Sequence, residues 1–150
     1  MSQTRVVIIG GGFGGLRAAK CLRKASVSVL LIDRMNHHLF QPLLYQVATA
    51  ALSPGEIAVP IREILCKQEN ATVIMGEVAA IDKENKRIYL SNGEQIAYDY
   101  LILAVGAKHS YFGHNEWEKF APGLKTVKNA LKLREQVLIS FEKAERMRNI

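Results

Sequence analysis

A glycine turn set between a strand and a helix, with an acid at the tip of the next strand, constrains this chain more than any other feature. Arg5 to Ile9 is a run of mostly β-branched residues closed by glycine, which reads as a buried strand. It leads into Gly10-Gly11-Gly12-Phe13-Gly14-Gly15, where Gly10, Gly12 and Gly15 fall on the spacing G-x-G-x-x-G. Gly14 to Ala25 reads as a helix with Leu16, Ala19 and Leu22 near one face, and Val27 to Ile32 as a second buried strand ending at Asp33. Strand, helix and strand within about 30 residues make a βαβ unit with parallel strands and a right-handed crossover.

The spacing has a chemical reason. Gly10 lets the chain turn tightly out of the strand, Gly12 leaves room for a diphosphate against the backbone, and Gly15 lets the helix lie close on the strand. The N-terminus of the helix offers unpaired N–H groups and partial positive charge to an anion. Asp33 stands about 20 residues on, where a carboxylate can accept hydrogen bonds from a ribose diol. A carboxylate there repels a 2′-phosphate, so NADP is disfavoured, while NAD and FAD both present a free adenosine ribose. The turn does not separate those two.

The rest of the chain departs from a simple repeat of βα units. Arg34 to Pro60 is irregular, with a short helix expected over Leu43 to Ala51 and a second after Pro60 through Ile61, Ile64 and Leu65. Ala71 to Met75 is a third strand of the parallel set. Glu77 to Ile81, Arg87 to Leu90 and Gln95 to Tyr98 read as an antiparallel meander, with Asn92-Gly93 as a hairpin turn. Tyr100 to Val105 returns as an apolar strand, Lys108 to Gly123 is a loop rich in glycine and aromatic residues, and Thr126 to Arg148 is a long amphipathic helix. Its apolar set is Val127, Ala130, Leu131, Leu133, Val137, Leu138, Phe141 and Ala144. The fold class is therefore α/β, a Rossmann-like parallel sheet with a βαβ unit and an inserted three-stranded antiparallel meander.

Composition removes several alternatives. The chain has 150 residues, 49% of them hydrophobic and 23% charged, which is a globular composition. The net charge of +6 is spread over the first helix (Arg17, Lys20, Arg23, Lys24) and the last, without aromatic residues interleaved as stacking platforms, so nucleic acid is not an expected partner. Cys21 and Cys66 form neither a Cys-x-x-Cys pair nor a zinc pattern; Cys21 is expected to pack and Cys66 to be inert. Adjacent histidines such as His37 and His38 point apart and make poor joint metal ligands, so no metal site is expected; a positional hydrogen bond is the plainer role for them. Tyr45 and Gln46 are expected to pack the short helix, with a place on a cofactor or quinone path as the other reading. No apolar stretch approaches the roughly 20 residues of a spanning helix.

The order of meander and following strand, Tyr98-Asp-Tyr-Leu-Ile-Leu-Ala-Val-Gly-Ala107, resembles the FAD domain of the two-dinucleotide-fold flavoproteins, the glutathione reductase superfamily. Within it, Asp33-Arg-Met-Asn-His-His-Leu-Phe-Gln-Pro-Leu-Leu-Tyr-Gln-Val-Ala-Thr-Ala-Ala-Leu-Ser-Pro54 resembles the type II NADH:quinone oxidoreductases, and the resemblance extends over essentially the whole chain. It implies an enzyme that oxidises NADH and reduces quinone through FAD on a membrane surface. Carried onto matching positions, it implies that Gly10, Gly12, Phe13, Gly14 and Gly15 bind the pyrophosphate and Asp33 the ribose. Arg34 would lie beside the adenine, Gln41, Pro42 and Leu43 along the flavin, Val78 against the adenine, and Ala104, Val105 and Gly106 beside the phosphate and ribityl chain. Many relatives outside this family carry Glu where Asp33 stands, which implies a longer or differently angled ribose contact here.

The resemblance also implies a division into residues 1–125, the first and incomplete segment of an FAD-binding domain, and residues 126–150, a helix leading toward an NADH-binding domain outside this chain. Substrate-side catalytic residues are expected beyond Ile150, and the 150 residues alone are expected to be inactive. A cytoplasmic protein, or one held on the cytoplasmic face of a membrane through chain beyond Ile150, is expected, with a homodimer as one form. Rival readings are a sulfide:quinone or ferredoxin-type flavin reductase of the same superfamily, and a non-catalytic dinucleotide-binding module.

Overall fold

In the computed structural model, which describes residues 3–148, four parallel strands carry the first half of the chain's organisation. β1 (Arg5–Ile9) runs into α1 (Phe13–Cys21), and the chain returns as β2 (Ser28–Asp33). Next come β3 (His37–Leu39), α2 (Leu44–Ala48), β4 (Ala58–Pro60), α3 (Ile61–Leu65) and β5 (Ala71–Met75). β6 (Val78–Asp82), β7 (Arg87–Leu90) and β8 (Gln95–Ala97) form the antiparallel meander, and β9 (Tyr100–Leu103) and α4 (Val127–Arg148) complete the chain. The sheet order is β5-β2-β1-β9, all parallel, with β6-β7-β8 as a separate sheet and β3 and β4 paired with each other.

The chain divides into two compact units. Residues 1–38 and 59–106 make the first, and residues 39–58 and 107–150 the second. In the first unit the central strands are apolar on both faces, as a doubly covered parallel sheet requires. One face joins Val6, Ile8, Val29 and Leu31 to Leu16 and Ala19 of α1 and to Ile61 and Leu65 of α3. The other joins Val7, Ile9 and Ile32 to Ile88, Leu90 and Ile96 of the meander. Full burial of each such side chain contributes roughly 1.5–3 kcal/mol, so the meander serves as the cover of that face.

α1 is shorter than the sequence indicates. It ends at Cys21 and tightens into a 3₁₀ turn over Leu22–Lys24. The reason lies at the far end of the unit. Asn70 Nδ2 donates to the carbonyls of Leu22, Ala25 and Val27 at 3.0, 3.2 and 3.1 Å, and the buried Gln68 donates to the Ala19 carbonyl at 2.8 Å. Two side chains thus satisfy the carbonyls that a terminating helix leaves open. Cys21 is exposed rather than packed, because the apolar face of this short helix is filled by Leu16 and Ala19. Cys66 is exposed too.

In the second unit α2 packs with α4: Leu44, Val47 and Ala48 meet Ile57 and Ala130. The helix expected over Leu43 to Ala51 is only Leu44–Ala48, preceded by a 3₁₀ turn at Gln41–Leu43; Ala50 at φ 65° stops it. Tyr45 is exposed, so it does not pack the helix as expected, and Gln46 Nε2 donates to its hydroxyl at 3.0 Å. The strands β3 and β4 were not legible in the sequence, since three residues give too short a run for any period to show. β9 is two residues shorter than expected, and Asn115–Lys119 forms a 3₁₀ turn within the aromatic loop. Of the apolar set on α4, Ala130 is buried while Leu131, Val137, Leu138 and Phe141 are exposed.

Candidate functional site

The glycine turn stands at the carboxyl ends of the parallel strands, where β1 passes into α1. Gly10 has φ +105°, a conformation open to glycine and strained for other residues, and a Cβ there would stand 2.3 Å from the Ala104 carbonyl oxygen. Gly15 lies directly on the strand: a Cβ would stand 1.8 Å from the Gly10 carbonyl oxygen. Gly12 is different. A Cβ at Gly12 would meet nothing within 4 Å, so its lack of a side chain is not required by packing. A bare backbone beside open space is what a closely approaching group needs, and the Gly12 environment therefore fits a diphosphate. The adjoining end of α1 has neither a side-chain cap nor an acid in its first turn, leaving its partial positive charge uncompensated by its own residues. Phe13 is half exposed, and a Cβ at Gly14 would come within 3.8 Å of the Ala104 Cβ.

Asp33 closes the turn from the neighbouring strand. Its Oδ2 accepts from the Gly11 N–H at 2.5 Å and its Oδ1 from the Met35 N–H at 2.7 Å. Both oxygens are thus oriented by backbone, and each keeps a lone pair for a further donor such as a sugar hydroxyl. The shorter acid suits this double grip on the main chain. His38 holds the same glycine from the other side, its Nδ1 lying 3.0 Å from the Gly11 carbonyl oxygen. The positional hydrogen bond expected of His38 is thus present, with Gly11 as its partner, a residue to which the motif assigns no role of its own. The signal was the middle glycine of the run Gly10-Gly11-Gly12: G-x-G-x-x-G requires none at position 11, and here a Cβ would meet the Cδ1 of Ile61 at 2.4 Å.

The pairing of β2 with β5 brings the other residues of this unit near Asp33. Asp33 is opposite Met75, and the Gly76 N–H donates to the Asp33 carbonyl at 2.8 Å. This sets Glu77 and Val78 beside the end of β2, and Arg34 forms an exposed ion pair with Glu77 at 3.8 Å. On the other flank the Ala104 N–H donates to the Ile9 carbonyl at 2.8 Å, which sets Ala104 and Val105 against Gly10, and Gly106 continues at φ +68° with open space around it. Gly10 to Gly15, Asp33, Arg34, Val78 and Ala104 to Gly106 all belong to the first unit. Gln41, Pro42 and Leu43 belong to the second, where they form the 3₁₀ turn before α2. Among the described residues no group of three His, Cys, Asp or Glu side chains could hold a metal ion, and no helix is long and apolar enough to cross a membrane.

These features define an α/β protein whose parallel sheet presents a dinucleotide-binding turn. The chain matches the pyridine nucleotide-disulphide oxidoreductase family over residues 4–141 and belongs to it. It is 53% identical over 145 residues to the type II NADH:quinone oxidoreductase Ndh of Mycobacterium tuberculosis, covering 95% of this chain and 31% of that protein. Among solved structures it is similar to NDH2 from Plasmodium falciparum in complex with NADH, with a TM-score of 0.84 and 29% identity over 96% of this chain and 30% of that one. It is equally similar in fold to the sulfide:quinone oxidoreductase of Aquifex aeolicus, with a TM-score of 0.85 and 28% identity over 93% of this chain and 32% of that one. The chain spans about a third of the length of the curated type II relatives it matches.

Proposed function

We propose that this chain is the FAD-binding portion of an NADH:quinone oxidoreductase, in which FAD supplies the redox chemistry that takes a hydride from NADH and passes electrons to a membrane quinone. The observation that carries the reading is the open backbone at Gly12, set among glycines that packing does require and next to Gly11, whose N–H donates to the Asp33 carboxylate. In this reading Gly10, Gly12, Phe13, Gly14 and Gly15 lie against the diphosphate, and α1 turns its N-terminus toward it. Asp33 accepts from the adenosine ribose with the lone pairs that its backbone partners leave, Arg34 and Val78 flank the adenine, and Ala104, Val105 and Gly106 line the diphosphate and ribityl chain. Gln41, Pro42 and Leu43 run along the flavin.

None of these side chains is a general acid or base for the substrate; their work is binding and orientation. Residues 1–125 are then the first segment of the FAD-binding domain, and residues 126–150 lead toward an NADH-binding domain. Attachment to the cytoplasmic face of a membrane belongs to the same reading. A sulfide:quinone enzyme shares the fold to the same degree, but 53% identity to an NADH enzyme favours NADH, and residues 100–150 hold no cysteine to receive sulfide.

The test is the full-length protein purified without added cofactor and its Gly12→Val variant. The wild type is expected to be yellow, to release FAD on denaturation and to oxidise NADH with a quinone acceptor. A Cβ at Gly12 has nothing within 4 Å, so the variant should keep its thermal stability and lose most of its flavin. Full flavin occupancy in the variant overturns the phosphate cradle, and a wild type that binds NAD but no flavin overturns the whole reading.

A further inference from the structure

Three consecutive glycines are a poor scaffold for aiming hydrogen-bond donors. Gly10, Gly11 and Gly12 have no Cβ to resist rotation of the peptide planes between them, so those planes must be held from outside. The Gly10–Gly11 plane is held by Asp33, which accepts from the Gly11 N–H at 2.5 Å. The next plane, Gly11–Gly12, meets His38, whose Nδ1 is 3.0 Å from the Gly11 carbonyl oxygen.

We infer that His38 is a positioning residue for the diphosphate site, donating from Nδ1 to the Gly11 carbonyl and thereby aiming the Gly12 N–H; this rests on the FAD reading above and names a residue which that reading does not use. A carbonyl oxygen only accepts, so the bond requires the proton on Nδ1. In a trans peptide the C=O and N–H point in opposite directions. Fixing the Gly11 carbonyl on His38 therefore turns the Gly12 N–H to the opposite side of the plane, at the one glycine in this turn whose surroundings are open while its neighbours Gly10, Gly11 and Gly15 are crowded. The ring is itself located by Phe13, the first residue of α1, which it meets edge to face at a centroid distance of 5.0 Å and 88° between planes. His37, the adjacent residue, faces Asn36 instead, with Nδ1 3.3 Å from Oδ1. The two histidines thus divide: one holds the turn and the other does not.

The experiment uses the full-length protein stripped of flavin and titrated with FAD. His38→Phe keeps a ring for the Phe13 contact and removes the donor; His38→Asn places an amide nitrogen close to where Nδ1 stood. His37→Phe is the control. Loss of one hydrogen bond that pre-orients a charge-binding donor corresponds to about a tenfold change in affinity. FAD should bind His38→Phe about tenfold more weakly than wild type, while His38→Asn and His37→Phe should stay within about threefold, with the melting temperatures of the apo forms unchanged. Wild-type affinity in His38→Phe, or affinity in His38→Asn as weak as in His38→Phe, overturns the assignment. Nitrogen-15 spectra of histidine-labelled wild type give a reading independent of how any variant folds: the proton of His38 should be on Nδ1, and an Nε2-protonated neutral ring overturns the assignment. Failure of the wild type to bind FAD at all is a separate result, and it overturns the parent reading together with this one.

Discussion

At the level of single residues, Gly15 and Gly12 look alike in the motif and differ in what they do. Gly15 is a packing residue. The carbonyl 1.8 Å from its missing Cβ belongs to the backbone of Gly10, which cannot move aside without shifting β1 against α1. Gly15→Ala should therefore destabilise the fold by about 3 kcal/mol, the upper range for overpacking, as read from urea unfolding. Gly12→Ala should change unfolding by less than about 0.5 kcal/mol, since the new methyl meets open space. Equal losses in the two variants would contradict the division between packing and access. Asn70 is a third kind of residue, one that works through three carbonyls. Asn70→Ala should cost about 2 kcal/mol by leaving partly buried acceptors without their donor, measured in the same way.

The element scale shows where sequence and structure part. β1 and β5 begin and end where their apolar runs do, and α3 starts immediately after Pro60, because strong local signals and the demands of the core agree there. The meander was legible from Asn92-Gly93, with Gly93 at φ +88° as the turn requires. α1 was not legible in length, because its end is set by Gln68 and Asn70, which lie far along the chain. The glycines and Asp33 could be read from spacing; the grip of Asp33 and His38 on Gly11 could not, since spacing does not report which backbone group a side chain meets. A smaller element carries a pH prediction. At the 3₁₀ turn Pro54–Glu56, Ser53 and Glu56 form a capping box, with the Ser53 N–H donating to Glu56 Oε2 at 2.6 Å. Hydrogen bonds from the backbone and side chain of Ser53 lower the Glu56 carboxyl below its ordinary 4.5. A lowered folded value stabilises above the unfolded value and is lost as pH falls through the folded one. Glu56→Gln should thus reduce stability at neutral pH and flatten the decline seen below about pH 4.5 in urea titrations; an unchanged acid limb would count against the cap.

On the scale of the whole molecule, this chain spans 31% of its Mycobacterium tuberculosis relative, and in the proposed reading the side chains of its site bind rather than react. The 150 residues alone should therefore show no NADH oxidation with a soluble quinone, in stopped assays long enough to detect one turnover; measurable turnover would mean that a reacting group is present among them. The glycine turn also has a thermodynamic consequence for the protein as a whole. A loop lacking side chains contributes almost nothing to its own rigidity; Asp33 reaches it from the end of the core strand β2, and His38 from the short strand β3. A ligand that seats there locks together pieces which heating would otherwise separate. Occupancy and heat resistance should then climb in step, by about 2.7 kcal/mol at a hundredfold excess over the dissociation constant, and a melting curve recorded against rising FAD would follow the cofactor into the fold.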